Sequence, residues 1–100
     1  PGLATVDAGE KRLASKYGGP PQIVRGAPKG TGYVATSDEH GRITLPEGTS
    51  LALGELIEVV VPHCDPTVNL HDWYVCVRGL HTDSAFVEDV WPVAARGAYF

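Results

Sequence analysis

Leu56-Ile57-Glu58-Val59-Val60-Val61-Pro62-His63-Cys64-Asp65-Pro66-Thr67-Val68-Asn69-Leu70 joins a short apolar run to a group of potential metal ligands held between two prolines. The run at 56–61 is rich in β-branched residues and predicts a strand buried on both faces. The residue before a proline is pushed out of the α region, so Asp65 is predicted to be extended. In an extended segment i and i+2 point the same way, which places His63 and Asp65 together and turns Cys64 to the opposite side. An imidazole and a carboxylate aimed at one point suit a divalent cation such as Zn²⁺ or Mn²⁺. The competing structural reading is a turn after the strand, with Asp65 capping the amides of Thr67 or Val68 and His63 hydrogen-bonded nearby.

Outward from this stretch, twelve glycines and eight prolines punctuate short apolar runs, the pattern of β-structure with many turns. Toward the N-terminus, Gly2 to Asp7, Gln22 to Arg25, Tyr33 to Thr36 and Gly41 to Leu45 read as strands, the last two flanking the polar turn Ser37-Asp38-Glu39-His40. Ala8 to Ser15 is the one helical candidate, a turn or two long, and Pro20-Pro21 end it. Gly26 to Gly32 reads as a loop and Glu47 to Ser50 as a turn. Toward the C-terminus, Asp72 to Arg78 predicts a strand with Trp73, Val75 and Val77 on one face, and Phe86 to Val93 a last strand. The expected fold is all-β: a small barrel-like domain or sandwich of six or seven short strands over residues 1–100.

A chain of 100 residues makes one domain at most and is too short for a (β/α)₈ enzyme of about 250 residues. With a net charge of −4 it disfavours a nucleic-acid or anionic-membrane partner. No apolar run nears the roughly 20 residues that span a bilayer, and no signal peptide is visible. Cys64 and Cys76 form neither a disulfide framework nor a paired zinc motif; one disulfide between them is open, and a reduced, cytoplasmic setting is expected. The chain contains no methionine, so it is expected either to be processed at Pro1 or to be a piece of something longer.

The remaining chemistry-bearing residues have simpler readings. Cys64 invites a nucleophile role with His40, His63, His71 or His81 as base, but is better read as a small hydrophobe packed inward. Lys29 sits in a glycine-rich loop that lacks the Gly-Lys-Ser/Thr order of a phosphate loop. His71 and Asp72 are adjacent on a strand and point to opposite faces. Trp73, Tyr74, Phe86 and Trp91 read as core and edge aromatics.

Val6-Asp7-Ala8-Gly9 with Lys11, then Ser37 to Gly41, Pro62 to Leu70, and Trp91-Pro92 with Ala95-Arg96-Gly97 occur in the order and spacing of one family. The chain resembles the C-terminal domain of D-threonine aldolases, relatives of D-serine dehydratase among the alanine-racemase-like (fold type III) pyridoxal-phosphate enzymes. The resemblance covers nearly the whole chain, and its His-Cys-Asp-Pro-Thr-Val-Asn-Leu run carries most of the specificity. It implies a pyridoxal-phosphate-holding N-terminal barrel followed by this β-domain, a homodimer when full length, and a β-hydroxy-D-amino acid substrate cleaved to glycine and an aldehyde. It implies a divalent metal (Mn, Mg or Zn) on His63 and Asp65, and assigns Asp38 and Glu39 as site-lining groups. The dehydratase branch carries a cysteine at the second ligand position; Asp65 stands there here, which favours the aldolase branch. Because the Schiff-base lysine belongs to the missing barrel, these residues alone are expected neither to bind pyridoxal phosphate nor to catalyse. The alternatives are a D-serine dehydratase-like ammonia-lyase domain and a stand-alone, non-catalytic β-domain that binds a metal or a partner.

Overall fold

The computed structural model describes residues 2–98 and contains seven short strands and one short helix. The strands are β1 (Leu3–Val6), β2 (Gln22–Arg25), β3 (Gly32–Thr36), β4 (Gly41–Thr44), β5 (Glu58–Val60), β6 (Trp73–Arg78) and β7 (Phe86–Pro92); the helix α1 (Cys64–Val68) lies between β5 and β6. All pairing is antiparallel and falls into three small sheets, β1-β4-β3, β2-β5 and β6-β7. The all-β expectation and all seven strand positions hold, but among the described residues the strands form three small sheets and no closed barrel.

The β1-β4-β3 sheet follows the alternation of its sequence. On β4, Gly41 and Ile43 are buried and Arg42 and Thr44 exposed, so one face of the strand builds the core. Ile43 is fully buried, and Leu13 and Tyr33 complete the buried apolar set among the described residues. The hydroxyl end of the Tyr33 ring lies against Gly41, where any Cβ would collide with it, and the hydroxyl donates to the Ala8 carbonyl. Burial raises the Tyr33 pKa above that of a free phenol, with Asp7 and Glu10 adding to the effect.

Four expectations are corrected. Ala8 to Ser15 forms no helix: Arg12 and Leu13 N–H both return to the Gly9 carbonyl and close a single turn. The reason is tertiary: the Ala14 amide, which a helix would pair with the Glu10 carbonyl, donates to Thr67 Oγ1, while the Glu10 and Lys11 amides hold the turn to the Ser37 and Asp38 carbonyls of the β3–β4 turn. Asp65 is not extended but sits in the first turn of α1. Pro66 is tolerated there because first-turn amides have no intrahelical acceptor, so its missing N–H costs nothing. The third correction concerns 56–61, which pairs only over Glu58–Val60 and is not buried on both faces, Leu56 and Val60 being exposed. Finally, Trp73, Tyr74, Phe86 and Trp91 are not core residues: both strands of the β6-β7 ribbon are exposed along almost their whole length. The expected common face of Trp73, Val75 and Val77 exists, but nothing among the described residues covers it.

Candidate metal centre

The site is assembled around Thr67, the one buried polar residue among those described. Its Oγ1 donates to the His63 carbonyl at 2.7 Å and accepts the Ala14 amide at 3.0 Å. One hydroxyl therefore binds the start of α1 to the segment that leaves the Gly9 turn. His71 adds a second tie, its Nε2–H donating to the Arg12 carbonyl at 2.7 Å. His71 is thus structural, and its sequence neighbour Asp72 is paired with Arg96 at 2.8 Å.

A third tie sets the position of Tyr17. Gly18 has φ +87°, and a Cβ there would lie 2.5 Å from the Pro62 carbonyl oxygen. Only glycine supplies both that dihedral and that close approach. The adjoining Tyr17 ring meets the His63 ring edge-on, with centroids 6.2 Å apart and planes at 81°, the favourable arrangement for two π-systems. Lys16 places its Nζ 5.6 Å from the Tyr17 centroid, within cation–π range.

These contacts enclose an open cavity of about 590 Å³ lined by Lys16, Tyr17, His63, Asp65 and Asn69 together with Ala14, Pro66, Gly97 and Ala98. His63 is the N-cap residue of α1, with extended backbone (φ −139°, ψ 109°), but its imidazole makes no capping bond. Among the described residues, neither the His63 ring nitrogens nor the Asp65 carboxylate has a hydrogen-bond or ion-pair partner, while both residues face the cavity. Both residues reach the cavity from the step between extended backbone and helix rather than from strand alternation. Asn69 accepts the Gly97 amide on its Oδ1 at 2.6 Å. That bond orients the side chain and leaves the amide N–H groups as its remaining donors.

An imidazole nitrogen and a carboxylate oxygen, both free of internal partners, fit a borderline or hard divalent cation. Among the described residues no group of three or more His, Cys, Asp or Glu side chains converges. A cation on these two side chains alone would need its remaining positions filled by water or substrate.

The cavity lining does not include Asp38 or Glu39. Glu39 pairs with Lys11 on the surface, its pKa lowered and that of Lys11 raised by the contact, and the Asp38 carbonyl accepts the Lys11 amide. Cys64 is exposed on α1 rather than packed inward, and both cysteines are free thiols. Lys16, Tyr17 and Asn69 were not singled out from the sequence. Asn69 lies inside the diagnostic run, but the turn that brings Lys16 and Tyr17 across to His63 depends on Gly18 meeting Pro62, which has no local signal.

Residues 1–77 match the family model described as "Putative serine dehydratase domain". The chain is 44% identical over 97 residues to the 3-hydroxy-D-aspartate aldolase of Paracoccus denitrificans, covering 97% of this chain and 23% of that protein. It is 41% identical over 98 residues to the D-threonine aldolase of an Arthrobacter species, covering 97% of this chain and 24% of that one. The crystal structure of D-threonine aldolase from Filomicrobium marinum superposes with a TM-score of 0.79 at 38% identity, over 99% of this chain and 25% of that chain. The chain thus spans about a quarter of the length of the relatives it matches.

Proposed function

We propose, because this chain belongs to the serine dehydratase domain family, that it is the metal-ligating β-domain of a longer lyase that cleaves β-hydroxy-D-amino acids to glycine and an aldehyde. The observation that carries the reading is that His63 and Asp65 line one cavity and neither side chain has a partner among the described residues. The names and identities of the aldolase relatives support it. The rest of the protein would hold pyridoxal phosphate, and the full-length enzyme would be a cytoplasmic homodimer.

His63 and Asp65 would hold a Mn²⁺, Mg²⁺ or Zn²⁺ ion. When bound, that ion supplies Lewis acidity toward a hydroxyl, and pyridoxal phosphate supplies an electron sink for Cα. The residues of this chain position and select. Tyr17, edge-on to His63, fixes the plane of the imidazole, and Asn69, held by Gly97, offers its amide donors to the cavity. In the overall reaction the Cα–Cβ bond breaks, its electron pair stays with Cα, and the hydroxyl loses its proton as Cβ becomes the aldehyde carbon. Lys16 is the one cation among the lining residues. It makes no ion pair among the described residues and favours a substrate with an anionic group on Cβ, as in the name of the Paracoccus relative.

The test uses the full-length gene product. His63→Ala and Asp65→Ala should each reduce metal-stimulated cleavage by more than about 100-fold, the order expected for loss of a group needed in the transition state, and should lower metal content measured by elemental analysis. Full activity in both variants would refute the assignment. Pyruvate and ammonia in place of glycine and an aldehyde would assign the dehydratase reaction instead.

A further inference from the structure

The β6-β7 ribbon is the part of the molecule that the proposed site leaves unexplained. Its register pairs Trp73 with Pro92, Val75 with Val90 and Val77 with Val87, so these six residues share one face. That face carries no charged or polar side chain. The opposite face pairs Tyr74 with Trp91, Cys76 with Asp89 and Arg78 with Phe86. There the charges are internally matched: Arg78 binds Glu88 at 2.8 Å, and Asp89 accepts the Trp91 indole N–H at 2.8 Å.

The ribbon packs against no other strand or helix among the described residues. Among the described residues its connecting turn is tethered where His81 contacts Glu58 at 3.0 Å. At the other end the Val93 amide donates to the Asp72 carbonyl at 2.8 Å and only extends the ribbon's own ladder. A lone two-stranded ribbon is marginal in water, yet this one exposes Trp73, Val75, Val77, Val87, Val90 and Trp91.

Two whole-chain quantities say how much cover is missing. A compact domain of 100 residues has a radius of gyration of about 13 Å, whereas this chain has 15.1 Å. A folded monomer of its mass exposes about 5,500 Å², whereas the chain exposes 7499 Å². The difference, about 2,000 Å², is more than twice the roughly 800 Å² that each partner contributes to a standard interface. A second copy seated on one ribbon face would not account for it.

We infer that the all-apolar face of the ribbon, centred on Val75 and Val90, is covered by polypeptide of the same chain from outside residues 1–100. The inference rests on the reading of these residues as part of a longer protein, and the occupant is a segment of the three quarters of length by which the relatives exceed this chain. A segment rich in β-branched and aromatic residues fits such a face, because cross-strand and face-to-face burial of that kind stabilises a flat apolar surface.

Photo-crosslinking tests this without using activity. The full-length protein, carrying p-benzoylphenylalanine at position 75 or 90, is irradiated and its crosslinked peptides are mapped by mass spectrometry. Mixed light and heavy isotope preparations distinguish intrachain from interchain products. The expected result is intrachain crosslinks from the ribbon to residues outside 1–100. Crosslinks to a second copy, to another protein, or to none would overturn the proposal. Hydrogen exchange of the unmodified full-length protein gives a check free of substitution: amides of 73–78 and 86–91 should be strongly protected, and rapid exchange throughout both strands would overturn it. A protein that passes these tests but lacks aldolase activity would refute the functional reading and leave the docking surface standing.

Discussion

Oγ1 of the buried Thr67 donates to the His63 carbonyl and accepts the Ala14 amide, so its removal leaves a half-buried carbonyl and a half-buried amide to find water. Thr67→Val keeps the shape and deletes both bonds. It should destabilise the protein by about 1–3 kcal/mol, the cost of unsatisfied buried groups, as measured by urea unfolding, and should weaken metal binding by releasing the His63 backbone. Thr67→Ser should retain most of both. Lys16 belongs to the same scale. Lys16→Met in the full-length enzyme should lower kcat/KM for 3-hydroxy-D-aspartate at least tenfold while changing that for D-threonine less than about twofold. An equal effect on both substrates would show that the ammonium does not read the Cβ substituent. Thr67 and Asn69 stand in the diagnostic run, yet nothing in the run announces that one hydroxyl bridges to Ala14 some fifty residues earlier.

Short elements here are defined by what they meet. The segment from Gly9 to Gly19 buries Leu13 and is fixed by the β3–β4 turn at one end and by Pro62 at the other. Gly18→Ala places a side chain at φ +87° and 2.5 Å from the Pro62 carbonyl. It should move Tyr17 off His63, visible as a changed His63 imidazole NMR shift and weakened metal affinity, and an unchanged shift would contradict the role given to Gly18. Glu10 fastens the same segment to β3. Its carboxylate accepts from the Ser15 and Thr36 hydroxyls, and these bonds hold its pKa below the ordinary 4.5. A lowered folded-state pKa means that the contribution is fully present above about 4.5 and is lost as pH falls through the folded value. Glu10→Gln should therefore reduce stability at neutral pH and flatten its decline on the acid side, read from urea melts across that range. The seven strands were legible because their alternation and turn residues are local signals. The helix was not, since the bias of Asp65 against the α region before proline is small beside the bonds Thr67 makes once α1 has formed.

At the scale of the whole molecule, the small buried core of Leu13, Tyr33 and Ile43 contrasts with an apolar ribbon open to solvent. If that ribbon is an internal docking surface, Val90→Asp in the full-length protein should lower its thermal midpoint by several degrees, since burying an unpaired charge costs several kcal/mol. Metal content of the folded fraction should stay unchanged, because the ribbon face lies apart from the cavity at His63. A midpoint unaffected by the charge would mean that the face is solvated in the complete protein. The sequence by itself determined the strand positions, the all-β class and the presence of an imidazole and a carboxylate in one proline-bracketed run, because periodicity, turn chemistry and ligand identity are properties of neighbouring residues. Tertiary structure decided that Asp65 enters a helix, that Lys16 and Tyr17 join His63, that Glu39 is drawn to Lys11 on the surface, and that the aromatics of the last two strands are left uncovered. Each of those outcomes depends on which distant segment supplies a hydrogen-bond partner or an apolar surface, and no local pattern encodes that.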